Sequence, residues 1–325
     1  MIRFIFPAAA LILLALGSLL IGARSGIGPS DIQAWLAGTA PDDAASIVLG
    51  QMRLPRTLTA ILAGGTLGLA GALIQGLSRN PLADPGLLGI NAGAAFAMVA
   101  TVWWLGPMAP ALLLFPALCG AALAALTVSS IATLSTSPVT LILAGAALTA
   151  LLSAALRGLI LLDPYALEVY RHWAVGAVDR ADLATLHTAG LVALAGVVLS
   201  LSVARWLDVL ALGADMAQSL GAGVVRIRLV GLTAVALLCA AAVMVAGPIA
   251  FVGLLAPHLA RLTGAGGMLS QMLRAALFGA GLLLIADILG RVIVPGVAIE
   301  AGLGVTVIGG PFLIWLVRRQ AEGLT

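Results

Sequence analysis

Two arginines three positions apart, Arg53 and Arg56, are the first residues along the chain whose type and spacing suggest recognition chemistry. Residues at i and i+3 share one face of a helix, so the two guanidinium groups can act on the same partner. A planar guanidinium can pair with a carboxylate through two parallel hydrogen bonds, so recognition of a partner is one interpretation of the pair. The alternative is a pair of interfacial arginines that only hold a helix end.

A loop with two prolines, Asn80-Pro81-Leu82-Ala83-Asp84-Pro85-Gly86, follows the apolar segment 57–78. Proline at this density is typical of a turn. The spacing by itself therefore predicts a bend in the chain between two helices.

A second polar interruption, Asp208–Arg228, contains two glycines that suit the start and the end of a two-turn helix, Gly213 and Gly221. Asp215 suits the positive N-terminal end of that helix. The segment from Asp208 to Val225 has no basic residue, so a groove on a protein suits it better than anionic lipid. The alternative is an interfacial helix that holds the bundle together.

Asp287 is an acid inside an apolar run. Such acids are candidates for a proton or ion relay. Its spacing of four residues from Arg291 favours a structural ion pair instead.

The chain has no lysine, since all 16 of its basic residues are arginine. A Walker A loop needs a lysine for the nucleotide phosphates, and a Schiff-base mechanism needs a lysine amine. If ATP drives this protein, another polypeptide must hydrolyse it. The three histidines and the two cysteines, Cys119 and Cys239, show no metal-ligand spacing, so we expect no bound metal and no cofactor on this chain.

The elements that position these residues follow from the composition. The chain of 325 residues is 62% hydrophobic and 9% charged, with a mean hydropathy of +1.17. Soluble domains are about 25% charged, so cytosolic enzymes and nucleic-acid binders are excluded. The long continuous apolar runs predict an all-α polytopic membrane protein rather than a barrel of short alternating strands.

We count about ten spans. Three of them share the uncharged stretch 85–156, divided at Gly106-Pro107 and at 135–138, and Gly247-Pro248 divides the run 229–260. The remaining spans are predicted at 4–23, 57–78, 183–204, 275–290 and 301–317.

An even number of spans places both termini on one side. With the termini in the cytoplasm, nine arginines lie inside and six outside, and most acids lie outside. This bias agrees with the positive-inside rule. We therefore expect a multi-pass membrane protein with both termini cytoplasmic.

A series of motifs extends from residue 50 to the C-terminus. It comprises Arg53-Leu54-Pro55-Arg56, the glycine-rich stretch 64–71, Gln75, Arg79–Gly89, Leu212-Gly213 with Leu220-Gly221, Gly247–Leu254, Pro257–Arg261, Ala286–Arg291 and Gly309–Leu316. In this order and spacing, the series resembles the FecCD-type permeases of bacterial ABC importers, which carry iron–siderophore complexes, haem and cobalamin. The strings 80–91 and 291–296 look most like permeases for catecholate siderophores.

The resemblance implies a type II ABC importer permease fold in a single domain, 1–325, with a coupling segment at 206–228. It implies that Arg53, Arg56 and Arg291 receive acidic residues of a substrate-binding protein. It implies a cytoplasmic gate at Asn80, Leu82, Ser137 and Thr140. It implies that a helix pair docks on the ATPase through Gly213, Asp215, Met216, Gln218, Ser219, Leu220 and Gly221.

The resemblance also implies a location in the bacterial inner (plasma) membrane, and it implies the partners. These are a second permease, identical or homologous, two cytoplasmic ATP-binding subunits that hold ATP and Mg, a periplasmic or lipid-anchored binding protein, and the bilayer, without nucleic acid. The expected cargo is a ferric siderophore, with haem or cobalamin as alternatives. An ion-coupled secondary transporter and a membrane-embedded enzyme are the readings from other classes; the first needs mid-membrane acids and the second a nucleophile–base pair or a metal set.

Overall fold

The computed structural model describes residues 2–22, 27–39, 44–133, 138–264, 266–293 and 299–322. The regular structure within these ranges is helical. The α-helices are α1 (Ile2–Leu20), α2 (Pro29–Ala37), α3 (Ala44–Ile47), α4 (Leu54–Ser78), α5 (Ile90–Leu105), α6 (Pro110–Thr133), α7 (Pro138–Leu162), α8 (Pro164–Ala174), α9 (Leu183–Leu210), α10 (Ala214–Ser219), α11 (Val224–Ala246), α12 (Val252–Leu262), α13 (Met268–Val292) and α14 (Ala301–Glu322).

Ten helical stretches within the described residues are apolar enough to belong to the membrane. Seven are also long enough to cross it: Ala44–Ser78, Leu112–Ile131, Leu143–Leu162, Leu183–Leu210, Val224–Ala246, Met268–Val292 and Ala301–Arg318. Three shorter apolar helices, Phe4–Leu20, Ile90–Leu105 and Val252–Leu262, complete the set. The all-α polytopic architecture with about ten membrane helices is therefore confirmed.

Two glycines end helices where the sequence places the breaks. Gly106, at φ 81°, follows α5, and Gly247, at φ 70°, follows α11. Positive φ is unfavourable for residues with a Cβ, which explains why glycine occupies both positions. After Gly247 the chain is non-helical to Phe251, and α12 has only 11 residues. The eighth membrane helix is thus half the usual length.

Helix α4 lies at the centre of the bundle, packed against α13, α11 and α12. Small residues permit these close crossings. A Cβ added to Gly64 would overlap the carbonyl oxygen of Gly279, and one added to Gly71 would overlap that of Gly253. Gly89, in contrast, is a turn residue at φ 72° between a short 3₁₀ helix, Pro85–Leu88, and α5.

The bundle has two ends that carry different groups. The α8 end contains α8, the loop 175–182 and the start of α4, which meet through Arg56 and Asp179. The α10 end contains α10, the loop 79–89 and the start of α13. There Asp208, near the end of α9, accepts a hydrogen bond of 2.8 Å from Met268 N.

Candidate functional site

At the α8 end, a fully buried carboxylate joins two helices. Asp287 of α13 has an exposed fraction of 0% and pairs with two guanidinium groups. Arg56 of α4 reaches its Oδ1 through Nε (2.8 Å) and Nη2 (2.7 Å). Arg291 reaches its Oδ2 through Nη2 at 2.8 Å. The carboxylate is neutralised on both sides, as a structural ion pair requires.

Two of the three arginines expected to dock a binding protein point into the molecule. Arg53 is buried and donates to the carbonyl oxygens of Leu19 (2.5 Å) and Leu20 (2.8 Å). Arg291 donates to the carbonyl oxygens of Ser18 (3.0 Å) and Ile21 (2.6 Å). Both therefore hold the end of α1, where the last carbonyls of a helix lack partners. Their docking function stays a prediction.

Arg56 is the member of this group that reaches the surface, with 14% of its side chain exposed. Its Nη1 lies 3.4 Å from Oδ2 of Asp179, in the loop after α8. The neighbouring Arg180 pairs with Glu300 at 3.6 Å and donates to the carbonyl oxygen of His172. Burial and the nearby Asp179 raise the pKa of Glu300, and Arg180 opposes this shift.

A cavity of about 490 Å³ lies beneath α8. Its floor is apolar, with Met98, Leu113 and Met244, and ionisable groups including His172 and Arg180 stand in its wall. Helix α8 is capped at its N-terminus by Asp163, whose carboxylate accepts a hydrogen bond from Tyr165 N.

At the α10 end, the predicted gate loop is a tight turn. The side-chain oxygen of Asn80 accepts from Leu82 N at 2.9 Å, and Ala83 N donates to the carbonyl oxygen of Asn80 at 3.1 Å. This is the turn that the prolines predict. Asn80 therefore shapes the loop, and Leu82 is half-buried on it.

A buried amide connects this loop to two helices. Gln75 of α4 donates through Nε2 to the carbonyl oxygen of Ala83 at 3.2 Å. Its Oε1 accepts from Arg261 of α12 at 2.7 Å. Asp84 accepts from Gly86 N at 2.7 Å; burial raises the pKa of this carboxyl, and the hydrogen bond opposes that shift. Any displacement of the loop therefore acts on α12.

The other two predicted gate residues belong to the start of α7 and the residues before it. Thr140 is half-buried and lines a second cavity, of about 500 Å³, between α6 and α7. Ser137 lies outside the described residues. The gate assignment of all four residues stays a prediction.

Helix α10 has the extent that its flanking glycines predict. Gly213 at φ 114° and Gly221 at φ 82° bound it, and a Cβ at either would meet no atom within 4 Å. Ala217 is buried against the bundle, whereas Asp215, Gln218 and Ser219 are exposed.

Large apolar side chains accompany the polar residues of α10. Leu212, Met216 and Leu220 recur every four residues and are all exposed. An exposed apolar row with a polar rim is typical of a protein contact surface. Met216 and Leu220 are among the residues expected to dock on the ATPase, and that assignment also stays a prediction.

The contacts of two residues at these sites could not be predicted from local sequence. Asp179 and Gln75 gain their roles from partners more than 100 positions away, Arg56 and Arg261. Leu212 was identifiable, because it extends the four-residue spacing of Met216 and Leu220 by one step.

The chain is similar to known transport proteins over most of its length. The sequence profile of the FecCD transport family matches residues 10–319. The ferric enterobactin transport system permease protein FepD of Escherichia coli (strain K12) is 45% identical over 310 residues, 94% of this chain and 92% of the relative. The hemin transport system permease protein HmuU of Yersinia pestis is 39% identical, over 98% and 95%.

A solved structure shares the fold. A metal-chelate type ABC transporter in an inward-facing conformation superposes with a TM-score of 0.81 at 26% identity, covering 97% of this chain and 98% of that one. The match extends over nearly the whole of both chains, so the bundle described above is the fold of an ABC transporter permease.

Proposed function

Because the chain belongs to the FecCD transport family, we propose that it is the membrane-spanning permease subunit of an ATP-driven importer whose cargo is a ferric siderophore. The 45% identity to a relative named for ferric enterobactin carries the substrate class. The relative named for hemin, at 39%, makes haem the second candidate. Cobalamin remains the third candidate within the family.

Energy conversion belongs to partner subunits. The chain has no lysine for a Walker A loop, so ATP and Mg act on two cytoplasmic ATP-binding subunits. An ion-coupled mechanism would need a mid-membrane acid that is free to bind its ion. Asp287 instead holds two arginines, which favours the ATP-driven reading.

The α10 end is assigned to the cytoplasm. Exposed arginines at this end, Arg79, Arg205 and Arg226, agree with the positive-inside rule. The exposed surface of α10 then faces the ATP-binding subunits. The α8 end, with Arg56, faces a periplasmic or lipid-anchored substrate-binding protein.

A second permease subunit, identical or homologous, completes the path. Helix α7 leaves apolar side chains such as Leu143, Leu151 and Leu161 exposed along its length. The cavity that Thr140 lines opens on the same helix. We place the partner permease against this surface and the cargo between the two subunits, where Asn80 and Leu82 narrow the exit.

Reconstitution tests this proposal. The chain is placed in proteoliposomes with its ATP-binding subunits and binding protein, and uptake of ferric enterobactin and of hemin is measured with and without ATP. We expect ATP-dependent uptake of ferric enterobactin that is lost when any subunit is omitted. Uptake by the isolated chain under a proton or sodium gradient would refute the proposal, and uptake of hemin alone would move the substrate to haem.

A further inference from the structure

The guanidinium of Arg56 has two edges that face different carboxylates. Its Nε and Nη2 contact Asp287, which is fully buried and out of reach of any partner protein. Its Nη1 faces Asp179, which is 39% exposed, at 3.4 Å. A carboxylate that approaches from outside can therefore bind only at the Nη1 edge.

We propose that Asp179 is a built-in competitor that covers the docking edge of Arg56 until an acidic side chain of the binding protein displaces it. The inference deepens the proposed function, because it rests on the docking of a binding protein at the α8 end. In this arrangement Asp287 positions the side chain of Arg56. Asp179 limits the affinity of Arg56 for the binding protein.

The loop that carries Asp179 is held in place by its neighbours. Ala177 N donates to the carbonyl oxygen of Ala246 at 2.8 Å, and Gly302 N donates to that of Gly176 at 3.0 Å. Gly176 has φ 71°, and a Cβ there would lie 2.5 Å from the carbonyl oxygen of Pro248. Residues 176–178 are buried, whereas Asp179 and Arg180 are exposed. The fold thus presents the Asp179 side chain at a fixed place beside Arg56.

The contact between Arg56 and Asp179 has the length and the exposure of an ion pair whose partners can exchange. At 3.4 Å it is longer than the 2.7 Å ion pair of Arg56 with Asp287. Pairs exposed to solvent contribute little, and salt screens them further. An incoming carboxylate can replace Asp179 without exposing Asp287.

The first test measures how well Asp179 shields the Nη1 edge of Arg56 when no binding protein is present. Phenylglyoxal, which modifies guanidinium groups, is applied to the assembled transporter in nanodiscs, and labelled arginines are identified by mass spectrometry. Asp179→Asn keeps the size of the side chain and removes its charge, so labelling of Arg56 should rise severalfold. Arg53 and Arg291 serve as internal references and should stay protected, because both are buried.

The second test measures docking of the binding protein that supports ATP-dependent uptake with this permease. Asp179→Asn should tighten docking about two- to fivefold at low salt, the range that an exposed ion pair allows. Glu168→Gln is the matched control, because it removes one exposed negative charge from the same end of the molecule. It should change docking by much less.

A double-mutant comparison distinguishes competition by Asp179 from the docking of the binding protein on Arg56. Arg56→Lys retains a cation for Asp287 but has no second edge, so docking should weaken and the gain from Asp179→Asn should disappear. Three results would overturn the inference about Asp179 and leave the docking assignment in place. They are unchanged labelling of Arg56, an equal gain in docking affinity from Asp179→Asn and Glu168→Gln, and a gain from Asp179→Asn that persists in the Arg56→Lys background. Docking that is insensitive to Arg56→Lys would overturn the docking assignment as well.

Discussion

At the scale of single residues, the informative positions are polar side chains in apolar surroundings. Asp287, Arg56 and Arg291 form one ion-pair group in which each guanidinium takes a different carboxylate oxygen. Ser18 of α1 joins it, since its hydroxyl accepts from Arg291 at 2.8 Å. The group therefore ties three helices, α1, α4 and α13, at one end of the bundle.

We expect Asp287→Ala to destabilise the protein strongly, because it leaves the buried Arg291 without its carboxylate and leaves Arg56 with only the exposed Asp179. Removing one partner of a buried ion pair typically costs about 3–5 kcal/mol. Thermal unfolding in detergent, followed by tryptophan fluorescence, measures the effect. Asp179→Ala, which removes the exposed partner of Arg56, should cost under about 1 kcal/mol. Equal losses in the two variants would contradict the central position of Asp287.

At the scale of helices, the packing depends on glycine at particular positions rather than on glycine content. Gly64 and its neighbour Gly65 both belong to α4. A Cβ at Gly64 would overlap the backbone of α13, whereas a Cβ at Gly65 would lie 3.7 Å from the carbonyl oxygen of Ala276, an ordinary contact.

Gly64→Ala should therefore separate α4 from α13 and lower stability by about 1–3 kcal/mol, the usual cost of overpacking. Gly65→Ala is the matched control and should change stability by no more than about 0.5 kcal/mol. Thermal midpoints of the two variants in the same detergent decide the question. A destabilised Gly65→Ala beside an unaffected Gly64→Ala would show that the crossing of α4 and α13 lies elsewhere.

The short helix α10 has a prediction of its own. Replacing Leu212, Met216 and Leu220 with Ser removes exposed apolar side chains, so the fold should stay intact. If these side chains enter a groove on the ATP-binding subunit, its co-purification should fall about tenfold or more, as for other truncated interface anchors. Leu105→Ser makes the same chemical change on the exposed surface at the other end and should not affect co-purification. Unchanged subunit stoichiometry in the triple variant would exclude α10 as the contact.

At the scale of the whole molecule, the two ends are connected through α4. This helix carries Arg56 near its first residue and Gln75 near its last, and Gln75 bridges the loop 79–89 to Arg261 of α12. Helix α12 in turn follows the non-helical residues after Gly247, which lie beside the loop that carries Asp179. A change at the α8 end therefore has a packed route to the predicted gate loop, 79–89. Two alternative arrangements of such a route are what an alternating permease requires.

A larger side chain at the predicted gate should slow transport without preventing assembly of the complex. We expect Leu82→Trp to slow ATP-dependent uptake severalfold while the complex still assembles and its ATPase activity still responds to the binding protein, because Leu82 is half-buried on a surface turn. Leu105→Trp, an exposed position at the other end of α5, is the control and should leave uptake unchanged. Full uptake in Leu82→Trp and in further bulky variants at Asn80 would remove these residues from the gate.

Local chemistry explains what the sequence determined by itself. Hydropathy over about 20 residues predicts the long membrane helices. Gly106, Gly247, Gly213 and Gly221 mark helix ends, because backbone conformation is a local property. The i to i+4 pair of Asp287 with Arg291 was equally accessible, since one helix brings these side chains together.

Only the tertiary structure decided which groups are exposed and which are paired across the bundle. Arg53 and Arg56 have the same type and nearly the same position, yet one caps α1 and the other meets Asp287, 231 residues away. That meeting depends on the close crossing of α4 and α13 at Gly64 and Gly279. Spacing along the chain carries no information on such a contact, because packing between distant helices sets it.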